Sequence, residues 1–148
     1  MSERYLAIKV VMMPRDTNPL GTIFGGVLLS HIDQAAYWGA KHAIDARKGN
    51  APMMVTIAID KVDFKEPVLV GDLVSFWSTC IRIGRTSVTV RIEVEAERKG
   101  KIIPVTQADV IYVSVDRQPD GTLKPVPHGA PAYTLPLTKG ELEGVNPR

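Results

Sequence analysis

The sequence predicts an α+β fold in which an antiparallel sheet of about five strands wraps around one long helix. Its 148 residues suit one domain. Only one stretch has long helical periodicity; one β-like stretch precedes it and four follow it. The strands are joined by short turns, and parallel pairs would need crossover connections that the chain lacks. The sheet is therefore predicted to be antiparallel.

The first half of the chain supplies one strand, a loop and the helix. The strand spans Tyr5 to Met12 and is followed by a loop rich in Pro, Asp, Asn and Gly over residues 14–21. Apolar and small residues then recur at three- and four-residue steps, which predicts a helix over Gly26 to Ala46, with Gly49-Asn50 as its stop signal. The buried face of this helix is rich in alanine and glycine, so a sheet can approach it closely.

The second half supplies four strands, at about residues 55–59, 73–83, 88–96 and 103–115. In the third of these, five apolar residues alternate with Thr, Arg and Glu, as is typical of an antiparallel strand with one wet face. The last strand contains an apolar run, Val110 to Val113, which indicates a central or covered position. An exposed edge of this sheet favours dimerisation through a continuous sheet.

The domain is predicted to cover residues 1–117. Beyond Arg117 the prolines crowd together, and six of the eleven lie in this part of the chain. Residues 118–148 are therefore predicted to form a Pro-rich tail that is extended or partly disordered.

The composition argues against several classes of protein. The net charge of +2 is too small for a dedicated nucleic-acid binder. The single cysteine, Cys80, excludes an intrachain disulfide, and His31, His42 and His128 are too scattered for a metal site. Since no secretory signal and no apolar span of about 20 residues is visible, a cytoplasmic protein without a membrane partner is expected.

Gly25-Gly26 opens the predicted helix, where unpaired N–H groups and the positive end of the helix dipole meet. Glycine also lets a ligand touch the backbone. The pair is a candidate oxyanion hole, a site that stabilises the negative oxygen formed when a carbonyl is attacked. The alternative is a glycine pair that eases a tight turn into the helix.

Asp33 follows Gly26 by seven residues, about two helical turns, and so faces nearly the same way. A carboxylate in this apolar stretch is costly unless it has a partner or a task. It could act as general base or as nucleophile toward a carbonyl, or it could be a structural residue. Asn18 could add a donor, although a turn-forming role before Pro19 is the alternative.

Gly84-Arg85-Thr86-Ser87 lies between two predicted strands. A flexible backbone, one guanidinium and two hydroxyls suit a ligand that carries phosphate. An ordinary hairpin turn explains the same residues.

Taken together, three motifs resemble those of a known family. They are Asn18-x-x-Gly21-x-x-x-Gly25-Gly26 followed by Asp33, Phe64-x-x-Pro67-Val68-x-x-Gly71-Asp72, and Gly84-Arg85-Thr86-Ser87. In order and spacing, over roughly Tyr5 to Val115, they resemble the hot-dog acyl-CoA thioesterases of the YciA and cytosolic acyl-CoA hydrolase type. A sheet curled around one helix is the hot-dog architecture, so the predicted fold agrees.

The resemblance implies hydrolysis of acyl-CoA to a free acid and CoA, without metal or cofactor, at a site shared by two subunits. By position, Asp33 would be the base or nucleophile, and Asn18 of the facing subunit its partner. The Gly26 amide would help bind the thioester oxygen, and Arg85, Thr86 and Ser87 would lie near the CoA. Family members commonly form trimers of dimers, so a homohexamer is expected.

Two other functions stay open. A non-catalytic regulatory hot-dog protein would bind acyl-CoA and hydrolyse none. A hot-dog dehydratase would use a catalytic histidine, but His31 is two residues from Asp33 and points off its face.

Overall fold

The computed structural model describes residues 4–136. It contains one helix, α1 (Gly25–Ala46), and a short 3-10 turn over Pro14–Asp16. The strands are β1 (Tyr5–Val11), β2 (Met54–Ile59), β3 (Leu73–Ile83), β4 (Ser87–Arg98), β5 (Lys101–Arg117), β6 (Leu123–Pro125) and β7 (Tyr133–Thr134). The observed helix ends at Ala46, as predicted, and begins one residue earlier than predicted, at Gly25.

The five long strands form one antiparallel sheet in the order β1-β3-β4-β5-β2. Strand β5 lies between β4 and β2, which agrees with the apolar run in its sequence. The short strands β6 and β7 pair with β5 and β3. The predicted α+β fold, with a sheet around one helix, is confirmed. Strand β2 is at one end of this order, so its outer edge has no neighbour among the described strands.

The core lies between α1 and the sheet. The helix buries a face of aliphatic and small residues: Leu28, Ile32, Ala35, Ala36, Gly39, Ala40, Ala43 and Ile44. Gly39 is needed for this packing, because a Cβ there would collide with the Ser78 side chain of β3. Small residues on the helix thus set how closely the sheet approaches, which in turn places the side chains that leave the helix toward β2 and β5.

Strand β4 shows why the sequence pattern predicts the sheet so well. Its five alternate apolar residues are all buried: Val88, Val90, Ile92, Val94 and Ala96. The turn that leads from β4 into β5 has positive φ at both Lys99 (50°) and Gly100 (74°). Such a pair of left-handed residues gives a tight turn that matches the twist of two antiparallel strands. The alternation and the turn together fix the register of β4 against β5.

Part of the predicted tail, residues 118–136, lies against the domain as a largely exposed segment. Strands β6 and β7 add to the sheet, and His128 between them is buried. The rest of the predicted tail, residues 137–148, lies outside the described residues. The domain boundary after Arg117 stays a prediction. Within residues 4–136, no helix is long and apolar enough to cross a membrane.

Candidate active site

The start of α1 leaves two backbone donors unused. The residue before the helix, Phe24, has an extended backbone and makes no side-chain cap. Its own N–H donates to Asp16 O at 2.8 Å, which anchors the entry into the helix. The N–H groups of Gly25 and Gly26 have no acceptor among the described residues. These two amides are available to bind an oxygen atom of a ligand, and their role as an oxyanion hole stays a prediction.

Asp33 leaves the third turn of α1 toward strands β2 and β5. Its Oδ1 accepts a hydrogen bond from Thr56 Oγ1 at 2.7 Å and another from the Tyr112 hydroxyl at 2.6 Å. The same hydroxyl lies 2.7 Å from the backbone oxygen of Asp33. The other carboxylate oxygen, Oδ2, has no partner within the described part of the chain. The side chain is therefore fixed through one oxygen, while the second is available for chemistry.

Thr56 and Tyr112 hold the candidate residue Asp33, and sequence reasoning missed both. They are direct cross-strand partners in the β2–β5 ladder, so the ladder brings both hydroxyls to one point below the helix. Burial and the hydrogen bond to Asp33 raise the pKa of Tyr112 well above its ordinary value. The phenol is therefore neutral at physiological pH and acts as a donor. No local sequence pattern links either residue to Asp33.

Asn18 is held within its own loop. Its Oδ1 accepts hydrogen bonds from Leu20 N at 2.9 Å and from Thr22 N at 3.2 Å, and its Nδ2 donates to Thr22 Oγ1 at 2.8 Å. This is the turn geometry that was the alternative to a catalytic role. The fold of one chain does not bring Asn18 to Asp33. One proton of the Asn18 amide is still available, and its predicted role across a subunit interface stays a prediction.

The turn Gly84-Arg85-Thr86-Ser87 joins β3 to β4, with Arg85 exposed. It is closed by a hydrogen bond from Gly84 N to Ser87 O at 2.9 Å, and Ser114 N of β5 donates to Thr86 O at 2.8 Å. Within residues 4–136, the N–H groups of Arg85 and Thr86 have no acceptor. The turn thus combines two free amides with one guanidinium, a set of donors suited to phosphate oxygens.

In one chain, this turn and the Gly25-Gly26 amides lie near opposite ends of α1. Ser87 O accepts a hydrogen bond from the His128 ring, and His128 O accepts one from Asn50 N, just beyond the end of the helix. The helix has 22 residues, or about 33 Å at 1.5 Å per residue. The predicted oxyanion site and the predicted CoA-binding turn are therefore not brought together within a single chain.

The second motif, residues 64–72, has a structural role. Asp72 is buried and forms a two-point ion pair with Arg98, with Arg98 Nη2 2.6 Å and Nε 2.9 Å from its carboxylate oxygens. Asp72 also accepts the Leu69 N–H, and Arg98 donates to Pro67 O. The hydrogen bonds from Arg98 hold the pKa of Asp72 below its ordinary value, although burial opposes them. This carboxylate is fully occupied in holding the loop.

His31 packs against the sheet, away from Asp33. Its ring stacks on Phe76 with the centroids 5.4 Å apart, and its Nδ1 lies 2.8 Å from Val27 O.

In the part of the chain that the structure describes, His, Cys, Asp and Glu side chains form no group of three that could hold a metal ion. A small depression lined by Asp60, Lys61, Gln107, Ala108 and Asp109 does not include Asp33 or its partners.

Comparison with known proteins places this arrangement in a family. Residues 20–103 match the model of the thioesterase superfamily. The acyl-CoA thioester hydrolase YciA of Salmonella typhimurium is 37% identical over 127 residues, which cover 82% of this chain and 90% of that protein. A hexameric hot-dog thioesterase of Campylobacter jejuni is 46% identical, with a TM-score of 0.66 over 82% of this chain and 89% of that one.

An acyl-CoA hydrolase from Staphylococcus aureus is more distant. A variant with one aspartate changed to alanine is 25% identical, with a TM-score of 0.64 over 85% of this chain and 72% of that one. A second variant, with an asparagine changed to alanine, was crystallised with coenzyme A. The two substituted residues are fifteen positions apart in that enzyme. The family assigned from the sequence motifs is confirmed: this chain belongs to the thioesterase superfamily, among the acyl-CoA thioester hydrolases with the hot-dog fold.

Proposed function

We propose that this protein hydrolyses acyl-CoA thioesters to a free carboxylic acid and CoA, with Asp33 as the reacting carboxylate. The observation that carries the proposal is the Asp33 side chain: two hydroxyls hold its Oδ1, and its Oδ2 has no partner among residues 4–136. The relatives are named for this activity, and the family motifs of this chain include Asp33.

In the proposed reaction, Asp33 removes a proton from a water molecule whose oxygen attacks the thioester carbonyl carbon. The carbonyl oxygen becomes negative and accepts hydrogen bonds from the Gly25 and Gly26 amides. The C–S bond then breaks, the sulfur of CoA leaves and takes the proton held by Asp33, and the acid is released. Water, a carboxylate and backbone amides are sufficient, so the proposal includes no metal and no cofactor.

The proposed site combines two copies of the chain. Asp33 lies seven residues beyond Gly26, or about 10 Å along one helix, too far for both to act on one carbonyl group. The exposed edge of β2 lies beside Asp33, and apolar residues are exposed near it, with Ile57 at 58% and Trp38 at 53%. Pairing of β2 with a second β2 would bury them and set two helices side by side. A hexamer, as in the Campylobacter jejuni relative, is the proposed assembly.

Asn18 is the proposed partner from the second subunit. It precedes Asp33 by fifteen residues, the same separation as the asparagine and aspartate substituted in the Staphylococcus aureus hydrolase. The loop that holds Asn18 leads directly into α1, so it accompanies the Gly25-Gly26 amides. If those amides bind the thioester oxygen at the neighbouring subunit's Asp33, Asn18 lies at the same site.

The β3–β4 turn is the proposed site for the phosphates of CoA. The carbonyls of Thr86 and Ser87 accept hydrogen bonds from protein donors. The N–H groups of Arg85 and Thr86 and the Arg85 guanidinium have no acceptor within residues 4–136. Phosphate needs hydrogen-bond donors and is repelled by carbonyl oxygens, so a turn with bound carbonyls and available N–H groups suits it.

A cytoplasmic location is part of the proposal, supported by the single free cysteine, Cys80.

The test is thiol release from a panel of acyl-CoAs, from acetyl to palmitoyl and including an aromatic ester. Saturable release supports the proposal and also gives the chain-length preference. Binding of CoA without release from any ester would contradict it and identify a binding protein. Loss of a 3-hydroxyacyl thioester without thiol release would instead identify a dehydratase.

A further inference from the structure

The tail residue His128 is buried in a segment that is otherwise largely exposed. It lies between β6 and β7 and is only 2% exposed, whereas its neighbours Pro127 and Gly129 are exposed. A polar ring in such a position needs partners for both nitrogens. Its partners show what this part of the tail does.

Every polar group of His128 is used. The ring Nδ1 accepts a hydrogen bond from Ala130 N at 3.1 Å, so Nε2 carries the proton and donates to Ser87 O at 3.2 Å. The backbone N–H of His128 points to Arg85 O at 3.4 Å, and its carbonyl accepts the Asn50 N–H at 2.7 Å. One tail residue therefore connects the β3–β4 turn to the end of α1.

The turn is thus held by its carbonyls from two directions. His128 contacts Arg85 O and Ser87 O, and Ser114 N of β5 contacts Thr86 O. Loops between strands are ordinarily the more mobile parts of a fold. Because three successive carbonyls are bound to the protein, the donors left for a ligand are the Arg85 side chain and the Arg85 and Thr86 amides, which have no acceptor in the described part of the chain.

We infer that His128 is a positioning residue for the binding of CoA: it holds the Arg85-Thr86-Ser87 turn so that its donors meet the phosphates. This inference rests on the proposed function and extends it to the tail. His128 is not placed at the reacting atoms, so its effect falls on substrate binding and not on the chemical step.

The experiment compares His128→Ala with the unaltered protein on two substrates. One is an acyl-CoA, and the other is the same acyl group on N-acetylcysteamine, which lacks the nucleotide phosphates. We expect KM for acyl-CoA and the inhibition constant of free CoA to rise about tenfold, which corresponds to the loss of the one side-chain hydrogen bond that His128 makes to the turn. We expect kcat for acyl-CoA and kcat/KM for the short substrate to change less than twofold.

Two further variants approach the same contact differently. His128→Gln keeps an N–H donor for Ser87 O, so it is expected to restore most of the affinity for CoA. Gly49→Ala leaves His128 intact, but its Cβ would lie 2.8 Å from His128 O, 2.8 Å from Ile44 Cγ2 and 2.9 Å from Ala130 Cβ, so the tail must shift together with the Ile44 side chain. It is expected to raise KM like His128→Ala, and it keeps the test decisive if His128→Ala does not fold.

Thr122→Ala is the matched control, because it removes a tail hydrogen bond to Asp120 and makes no change at the β3–β4 turn. It should leave all constants unchanged. The inference would be overturned if kcat/KM fell equally on both substrates, or if kcat fell at constant KM. It would also be overturned if neither His128→Ala nor Gly49→Ala raised KM for acyl-CoA. Failure of the unaltered protein to hydrolyse any acyl-CoA would instead contradict the proposed function, so the two failures are distinguishable.

Discussion

Two aspartates of the family motifs, Asp33 and Asp72, have very different surroundings. Asp72 is buried, carries a two-point ion pair with Arg98 and also accepts a backbone N–H. Asp33 is half-buried, has no cation partner among its contacts and is held by two hydroxyls on one oxygen. A carboxylate with both oxygens bound by protein donors supports the fold, whereas one with an oxygen that has no partner among the described residues can act on a substrate.

The largest expected effect is on turnover. Asp33→Asn keeps an oxygen that accepts from Thr56 and Tyr112, so the fold and the melting temperature should change little. It removes the only group proposed to take a proton, and general-base catalysis contributes about 10²–10⁴-fold in rate. We expect kcat for acyl-CoA to fall by that factor, measured as thiol release at saturating substrate.

The second effect is on stability. Asp72→Asn leaves the Arg98 guanidinium without its counter-charge, and breaking a buried ion pair costs about 3–5 kcal/mol. Since Arg98 keeps part of its side chain in solvent, a loss near the lower limit, about 3 kcal/mol, is expected in urea unfolding. Activity at low temperature, where the variant is still folded, should remain close to that of the unaltered protein.

The ion pair also makes stability depend on pH. Because the folded pKa of Asp72 lies below the unfolded value, its contribution is complete above about pH 4 and is lost as the pH falls through the folded pKa. The difference in unfolding free energy between the unaltered protein and Asp72→Asn should therefore shrink in acid. A difference that stays constant from pH 7 to pH 3 would show that the pair does not act in this way.

A smaller effect sharpens the account of Asp33. Tyr112→Phe removes one of the two hydroxyls on Oδ1 while keeping the buried ring. We expect kcat to fall about tenfold, the equivalent of one hydrogen bond to a charged group, with KM nearly unchanged. The Thr56→Val variant should likewise lower kcat while KM stays nearly unchanged. A rise in KM at constant kcat would mean that these hydroxyls contact the substrate instead of the carboxylate.

The smallest effect is expected at an exposed aspartate on the same helix. Asp45 forms an i,i+4 pair with Lys41, with 54% of its side chain exposed. Such pairs contribute about 0.2–0.5 kcal/mol. Asp45→Asn should therefore leave kcat unchanged and lower the free energy of unfolding by no more than that amount, which makes it the control for removal of a helix carboxylate.

The sequence predicts well those features that depend on local periodicity. The predicted helix agrees with the observed one to within one residue, and the alternate apolar residues of β4 are all buried. Asp33 itself stood out because a carboxylate interrupts an apolar helical face. These features can be predicted because residues close together in the sequence recur on the same face of a helix or strand.

The partners of the site could not be predicted in this way. Tyr112 is 79 residues from Asp33, and His128 is 41 residues from Ser87. Such contacts depend on strand register, and the β2–β5 ladder has an irregularity directly after Thr56 that no local pattern signals. Likewise, no local pattern in the Pro-rich tail signals that β6 pairs with β5 and β7 with β3.

The most direct measurement is thiol release from one acyl-CoA by three proteins at equal folded concentration: unaltered, Asp33→Asn and Asp72→Asn. We predict release by the unaltered protein and by Asp72→Asn, and a loss of at least about a hundredfold in Asp33→Asn. If Asp33→Asn turns over normally, or if folded Asp72→Asn is equally inactive, Asp33 is not the reacting carboxylate.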